Sequence, residues 1–163
     1  MKPRTEIIIL IAVIAFLSSV FLSKALAQTS DNLIVLGGYK SIEVGYSYNN
    51  EDFLNFGFSV SAADSELLER RANRNDIYKK LHEFNNKVTP AGFFLVGATF
   101  DKISITGKSG IAYLSQQING VQDKQKIYWA VGILLSHELT ERCSLVLNYD
   151  NINSAQIGVK YKF

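Results

Sequence analysis

The sequence predicts an all-β fold: a closed antiparallel barrel of eight strands running up and down through a membrane, with one long helix-containing extracellular loop. Three observations predict it. Seven stretches alternate apolar and polar residues with period two, the last of them ends on an aromatic residue, and an export-type segment opens the chain.

The final stretch, Ser154 to Phe163, shows the pattern most cleanly. Ala155, Ile157, Val159, Tyr161 and Phe163 form one face, and Gln156, Gly158, Lys160 and Lys162 form the other. That is a strand with one apolar and one polar side. A strand-final Phe on the apolar face would lie in water in a soluble protein. It is accommodated where that face meets lipid.

The chain opens with Lys2 and Arg4, an apolar run from Ile7 to Leu22, and Ala25-Leu26-Ala27. A charged lead, an apolar centre and small residues define a signal peptide over residues 1–27, with cleavage predicted between Ala27 and Gln28. An uncleaved anchor is the alternative, but a spanning helix needs about 20 apolar residues and this run is near the short limit. The barrel domain is then residues 28–163. Removing the leader takes three of the 17 basic and one of the 15 acidic residues, leaving 14 of each. A neutral domain gives no electrostatic case for nucleic acid. The single Cys143 excludes an internal disulfide, and one Cys with two His excludes a Cys/His zinc cage. No cofactor is expected.

Leu33 to Tyr39 reads as a first strand of poor periodicity, with a tight turn at Tyr39–Ser41. Ile42, Val44, Tyr46 and Tyr48 then alternate with polar residues up to the Asn49–Asp52 turn cluster, and Leu54, Phe56, Phe58, Val60 and Ala62 answer them. From Ala63 to Ala91 the period breaks. Ser65 is expected to cap a helix starting at Glu66, and Ile77, Tyr78, Leu81 and Phe84 recur at helical spacing until Thr89-Pro90. Alternation resumes at Gly92 and runs to Phe100, with Asp101-Lys102 as a turn. It continues over Ile103–Leu114, Ile127–Ser136 and Cys143–Asp150, separated by a polar loop at Gln116–Gln125 and a short turn at His137–Glu141.

The polar face is rich in Gly, Ser, Thr and Asn and carries Glu43, Lys108, Lys160 and Lys162. A soluble barrel hides its apolar face; a membrane barrel turns it outward and keeps a polar interior. Stretches of about 9 to 11 residues suit a tilted crossing of the hydrocarbon. Aromatic residues gather at strand ends, as interfacial girdles require. Tyr48, Phe100, Tyr161 and Phe163 would form the periplasmic girdle, and Phe94, Tyr113, Trp129 and Tyr149 the outer one. With both ends of the barrel in the periplasm, the two long connections fall outside and the short turns inside.

On these residues, and on Val159-Lys160-Tyr161-Lys162-Phe163, the chain resembles the small outer-membrane β-barrels of the OmpA/OmpX type across its whole mature region. The resemblance implies a Gram-negative outer membrane, lipid and lipopolysaccharide as surroundings, and a monomer. It also implies that Tyr161 and Phe163 act as an assembly signal read by the outer-membrane assembly machinery. Helical content in a loop departs from the hairpin-like loops of the class.

An eight-stranded barrel is just wide enough for its own side chains. Glu43, facing inward, is therefore expected to pair with Lys108 or Lys160 in a polar plug, with a porin-like ion path as the alternative. Arg70, Arg71, Arg74, Lys79 and Lys80 make a possible surface site for lipopolysaccharide phosphates or a partner. The plainer reading is a solvated cap with Ile77, Tyr78, Leu81 and Phe84 over the barrel mouth.

The expected function is a structural or interaction protein of the outer membrane, not an enzyme. One alternative is a soluble periplasmic lipocalin-like carrier with the faces reversed. The other is a lipid A-modifying enzyme using His82, His137 or Ser136. Threading sets His137 at the periplasmic end, and no nucleophile stands on a rigid strand beside His82. Cys143 is expected to be a small lipid-facing hydrophobe.

Overall fold

The computed structural model describes residues 30–50, 54–122 and 126–163. The predicted leader and its cleavage point, part of the Asn49–Asp52 turn and part of the 116–125 loop lie outside them.

The elements in chain order begin with β1 (Ser30–Gly38), β2 (Ser41–Asn50), β3 (Leu54–Asp64), α1 (Ser65–Asn75) and β4 (His82–Phe84). Next come β5 (Val88–Phe100), β6 (Ile103–Leu114), β7 (Gln116–Ile118) and β8 (Val121–Gln122). The last three are β9 (Lys126–Thr140), β10 (Cys143–Asp150) and β11 (Ser154–Lys162). Strands β1, β2, β3, β5, β6, β9, β10 and β11 pair antiparallel in that order, and β11 returns to β1 with Val35 opposite Val159. The result is a closed eight-stranded barrel, so no edge of it is left unpaired. At the closure Gly158 is required, because a Cβ there would lie 1.9 Å from the Val35 carbonyl oxygen. The three short strands β4, β7 and β8 form a separate sheet above the mouth.

The alternation translates directly into two surfaces. Phe56, Phe94, Val96, Ile105, Trp129, Ile133, Leu147 and Ile157 all point outward and stay exposed. Asn32, Glu43, Ser59, Lys108, Asn148 and Gln156 point inward and are buried. Apolar side chains also fill the interior, among them Leu36, Phe93, Leu95, Leu134 and Val146. This distribution runs against the lipocalin-like alternative, which needs its charged face on the outer wall.

Several local expectations change. Strand β2 begins at Ser41, so the first turn is Tyr39-Lys40. Strand β9 continues through His137 to Thr140, and the turn is Glu141-Arg142. Alternation continues there, with His137 and Leu139 exposed on the outer side and Ser136 and Glu138 more covered, so the ladder runs on past Ser136. Strand β5 starts at Val88 and includes Pro90. Pro90 pairs only with Ala62 of β3, since pairing to β6 begins at Ala91, so its missing N–H breaks no ladder.

The cap of α1 is Asp64, whose Oδ1 accepts from the Glu66 amide at 2.9 Å, and Ser65 lies within the helix. The second helical segment does not form. His82–Phe84 instead pair with Gln116–Ile118, and only Phe84 of the four apolar residues packs on the core. Asn119 (φ 53) and Gly120 (φ 75) turn β7 into β8, the left-handed pair a tight hairpin requires.

Candidate functional site

Two places carry concentrated chemistry: the interior beneath the capped end, and the cap itself.

Inside the barrel, Lys108 donates to both Glu43 oxygens at 2.7 and 2.6 Å and to Asp150 Oδ2 at 2.9 Å. Ser59 donates to Glu43 at 2.6 Å. Asn148 and Asn153 each donate to Asp150 Oδ2, at 2.8 and 3.0 Å. The other Asp150 oxygen accepts the backbone amides of Ile152 and Asn153 at 2.9 and 2.6 Å. The Lys108 ammonium also lies 3.8 Å from the centre of the Phe93 ring.

The expected Glu43–Lys108 pair is therefore present, and Lys160 is not its partner. Lys160 lies lower, lining a small cavity with Ser47, Asn55, Thr106 and Ser136. Asp150 is the member that sequence reasoning missed. Its signal was legible, because β10 alternation sets it on the inward face with Asn148. The network and the apolar residues around it fill the bore as a plug, with side chains spent on one another.

The cap is built by α1. Strands β3 and β10 are four apart in the ring of eight, so they face each other across the mouth. Helix α1 leaves β3, and an 11-residue helix reaches about 16 Å. Its Arg71 donates to the Asn151 carbonyl, in the turn between β10 and β11, and to Ser154 Oγ at the start of β11. Leu68 on the lower face of α1 is buried in the core cluster. At the near rim Lys40 bridges Asp64 at 3.1 Å and Glu66 at 2.7 Å. Glu66 is held below the usual carboxylate range by its hydrogen bonds from Lys40 and then Arg70. Such exposed pairs orient the helix more than they stabilise it.

The five predicted basic residues thus separate. Arg71 is a strut of the cap and is committed to Asn151 and Ser154. Arg70 pairs with Glu66 one helical turn back and is otherwise exposed. Arg74, Lys79 and Lys80 are exposed. Replacing Arg71 by Ala should raise protease cleavage within residues 65–87 several-fold while leaving the barrel's own unfolding nearly unchanged. Equal cleavage of both proteins would show that Arg71 does not hold the helix.

His82 is no free surface histidine. Its Nε2 meets Asp76 Oδ2 at 2.6 Å, and both side chains are mostly covered. Asn73 grips the His82 backbone twice, accepting from its N–H at 2.7 Å and donating to its carbonyl at 2.9 Å. Asp76 is held below its ordinary value of 3.8, chiefly by His82. A carboxylate with a lowered folded-state pKa stabilises at all pH above its unfolded value, and that contribution is lost as pH falls through the folded value. The Tyr78 amide, which donates to Asp76 at 2.7 Å, should report the carboxylate's protonation with a midpoint below the ordinary carboxylate range. A shift complete above that range would contradict this.

His137 faces outward on β9 and Ser136 faces inward, so the two point to opposite sides of the wall. Cys143 is half-buried on the outer face beside the Tyr161 register position. Tyr161 and Phe163 stack edge to face with centroids 5.3 Å apart, and the Phe163 amide donates to the Asp31 carbonyl at 2.9 Å.

No protein-family model matches the chain, and no curated protein matches it. Among solved structures it is similar to a de novo designed transmembrane β-barrel, with 14% identity, 82% of this chain and 95% of that chain covered, and a TM-score of 0.49. It is also similar to the Yersinia pestis outer-membrane protein Ail in a phospholipid nanodisc: 12% identity, 83% and 98% covered, TM-score 0.47. Neisserial surface protein A follows with 11% identity, 83% and 94% covered, and a TM-score of 0.42. Likeness at this level concerns strand arrangement alone.

Proposed function

We propose that this chain is an outer-membrane barrel of a Gram-negative envelope, a structural and interaction protein whose capped end faces outward from the cell. The observation that carries the reading is the inverted surface: a continuous apolar wall around a charged and hydrogen-bonded interior. A water-soluble protein rarely exposes an apolar area of that extent, whereas lipid requires it. Exposed Trp129 and Tyr149 near the capped end, and Phe100, Tyr161 and Phe163 near the other, suit two headgroup layers, whereas Phe94, expected in the outer girdle, lies midway along β5 opposite Phe58 and Ser109.

On this reading the cap carries the recognition, with Arg70, Arg74, Lys79 and Lys80 available for lipopolysaccharide phosphates and Arg71 withdrawn from the set. Tyr161 and Phe163 serve assembly. The protein acts as a monomer and performs no catalysis; the opposed directions of Ser136 and His137 and the engagement of His82 by Asp76 both favour that. The filled bore argues against conduction.

The test is fractionation together with gel migration. The protein should sediment with the outer membrane, and the unboiled form should migrate differently from the boiled one. Recovery in the soluble periplasmic fraction without detergent would sink the reading.

A further inference from the structure

We infer that the tip at residues 76–81 is a lipid-engaging element, which recognises phosphorylated lipid headgroups in the leaflet surrounding the capped end. The inference rests on the outer-membrane reading and deepens it, by separating this tip from the rest of the cap.

The tip is held, not frayed. The Lys79 amide closes a turn onto the Asp76 carbonyl at 3.2 Å, with Lys79 itself at φ 53. The Leu81 amide donates to Asn119 Oδ1 at 2.9 Å, and the Asn119 amide donates to the Leu81 carbonyl at 2.8 Å. Together with the His82 contacts, these bonds fix the segment to α1 on one side and to the β7–β8 hairpin on the other. Yet Ile77 and Tyr78 are 83% and 75% exposed, and Leu81 is 54% exposed. A segment so well anchored presents its apolar side chains outward by construction, and a covering surface would remove them from water.

Charge narrows what that surface is. The Asp76 carboxylate is turned into His82 and the Tyr78 amide, leaving Arg74, Lys79 and Lys80 at the tip. The Lys80 ammonium lies 5.6 Å from the Tyr78 ring centre, so cation and aromatic are presented together. Glu83 is the acid beside them, on β4 opposite Gln117. Apolar anchors interleaved with ammonium groups fit an interface of anionic headgroups over hydrocarbon. A free anion would have no use for Ile77 and Leu81, and a neutral protein surface none for the cations.

Position selects the neighbouring leaflet. Arg71 of α1 reaches Asn151, whose side-chain amide donates to the Trp129 carbonyl at 2.8 Å. The second half of α1 therefore reaches the rim that carries Trp129, and the chain leaves the helix four residues after Arg71.

The experiment uses the whole barrel in nanodiscs of zwitterionic phospholipid, and in the same discs containing an anionic phosphomonoester lipid. Chymotryptic cleavage after Tyr78 and amide exchange over residues 77–81 are followed in both. Anionic discs should slow both by roughly 25-fold, given about fivefold in affinity for each of the two lysines near such a surface, and added salt should reverse it. Lys79→Gln with Lys80→Gln should abolish the difference between discs. Ile77→Ser with Leu81→Ser should reduce the protection in anionic discs; these four side chains are exposed, so the fold is retained.

Equal rates in both discs, or equal protection by inorganic phosphate in zwitterionic discs, would overturn the inference. Migration of the unboiled protein is read in parallel. If it indicates a folded, inserted barrel while the tip stays unprotected, only this inference fails. If the chain does not insert, the outer-membrane reading fails first.

Discussion

Replacing Lys108 by Met should destabilise the barrel by about 3–5 kcal/mol, the cost of leaving a buried partner charge uncompensated. Lys108 is the sole cation contacting Glu43 and Asp150 among the described residues, and all three side chains are fully shielded. Removing it leaves two carboxylates facing each other through Asn148 and Asn153, with no positive charge between them. Urea unfolding of the protein in lipid vesicles would measure the loss. Adding Glu43→Gln and Asp150→Asn to Lys108→Met should recover most of it, because neutral amides can share the same hydrogen-bond partners. Glu43→Gln alone should cost less than Lys108→Met, since Lys108 keeps Asp150. If Lys108→Met were neutral and the triple variant no better, the ion-paired plug would not be what holds the bore closed.

The second large effect concerns the wall. Leu147 lies midway along β10 between Leu135 and Ile157, and half of it is exposed. Leu147→Arg should cost about 2–4 kcal/mol in a lipid bilayer, the range for a charge near the hydrocarbon midplane of a barrel. In water the same exposed position would tolerate Arg within about 0.5 kcal/mol. Tyr39→Arg, at the turn between β1 and β2, serves as the control and should be near neutral in both. The contrast between the positions, read by the same unfolding assay, reports on the solvent of the wall and not on packing.

Period two was sufficient to assign faces along the barrel strands other than β1, whose apolar run hides the phase. It set Phe94, Val96 and Phe100 outside and Phe93 and Leu95 inside, although both sets are apolar, because the neighbours Gly97 and Thr99 fixed the phase. The same logic set Glu43 and Lys108 on one inner surface, although their distance in sequence gave no hint of contact. What stayed hidden depended on contacts between distant segments. Ile77, Tyr78, Leu81 and Phe84 have helical spacing, but His82–Phe84 find a ladder on Gln116–Ile118, and a three-residue strand has no period to display. The His137–Glu141 segment looked like a turn because all its residues but Leu139 are polar, whereas its alternation already continued β9.

The candidate site was half legible. Arg70, Arg74, Lys79 and Lys80 are exposed basic residues of the cap, as their composition suggested. Arg71 could not be told from them, since its role comes from Asn151 and Ser154, 80 and 83 residues further on. The bond between His82 and Asp76 was equally invisible. It depends on the turn after α1 bringing a residue six positions away back onto the ring.

The central claim is that the apolar wall meets lipid, and the chain offers one natural reporter for it. Trp129 is the single tryptophan, and it stands on the outer wall near the capped end. In the refolded barrel its fluorescence should be quenched by lipids carrying a quencher on the upper acyl chain, and largely shielded from iodide in the surrounding water. Ready quenching by iodide, with no response to the lipid-borne quencher, would show that the wall faces water and would contradict the account.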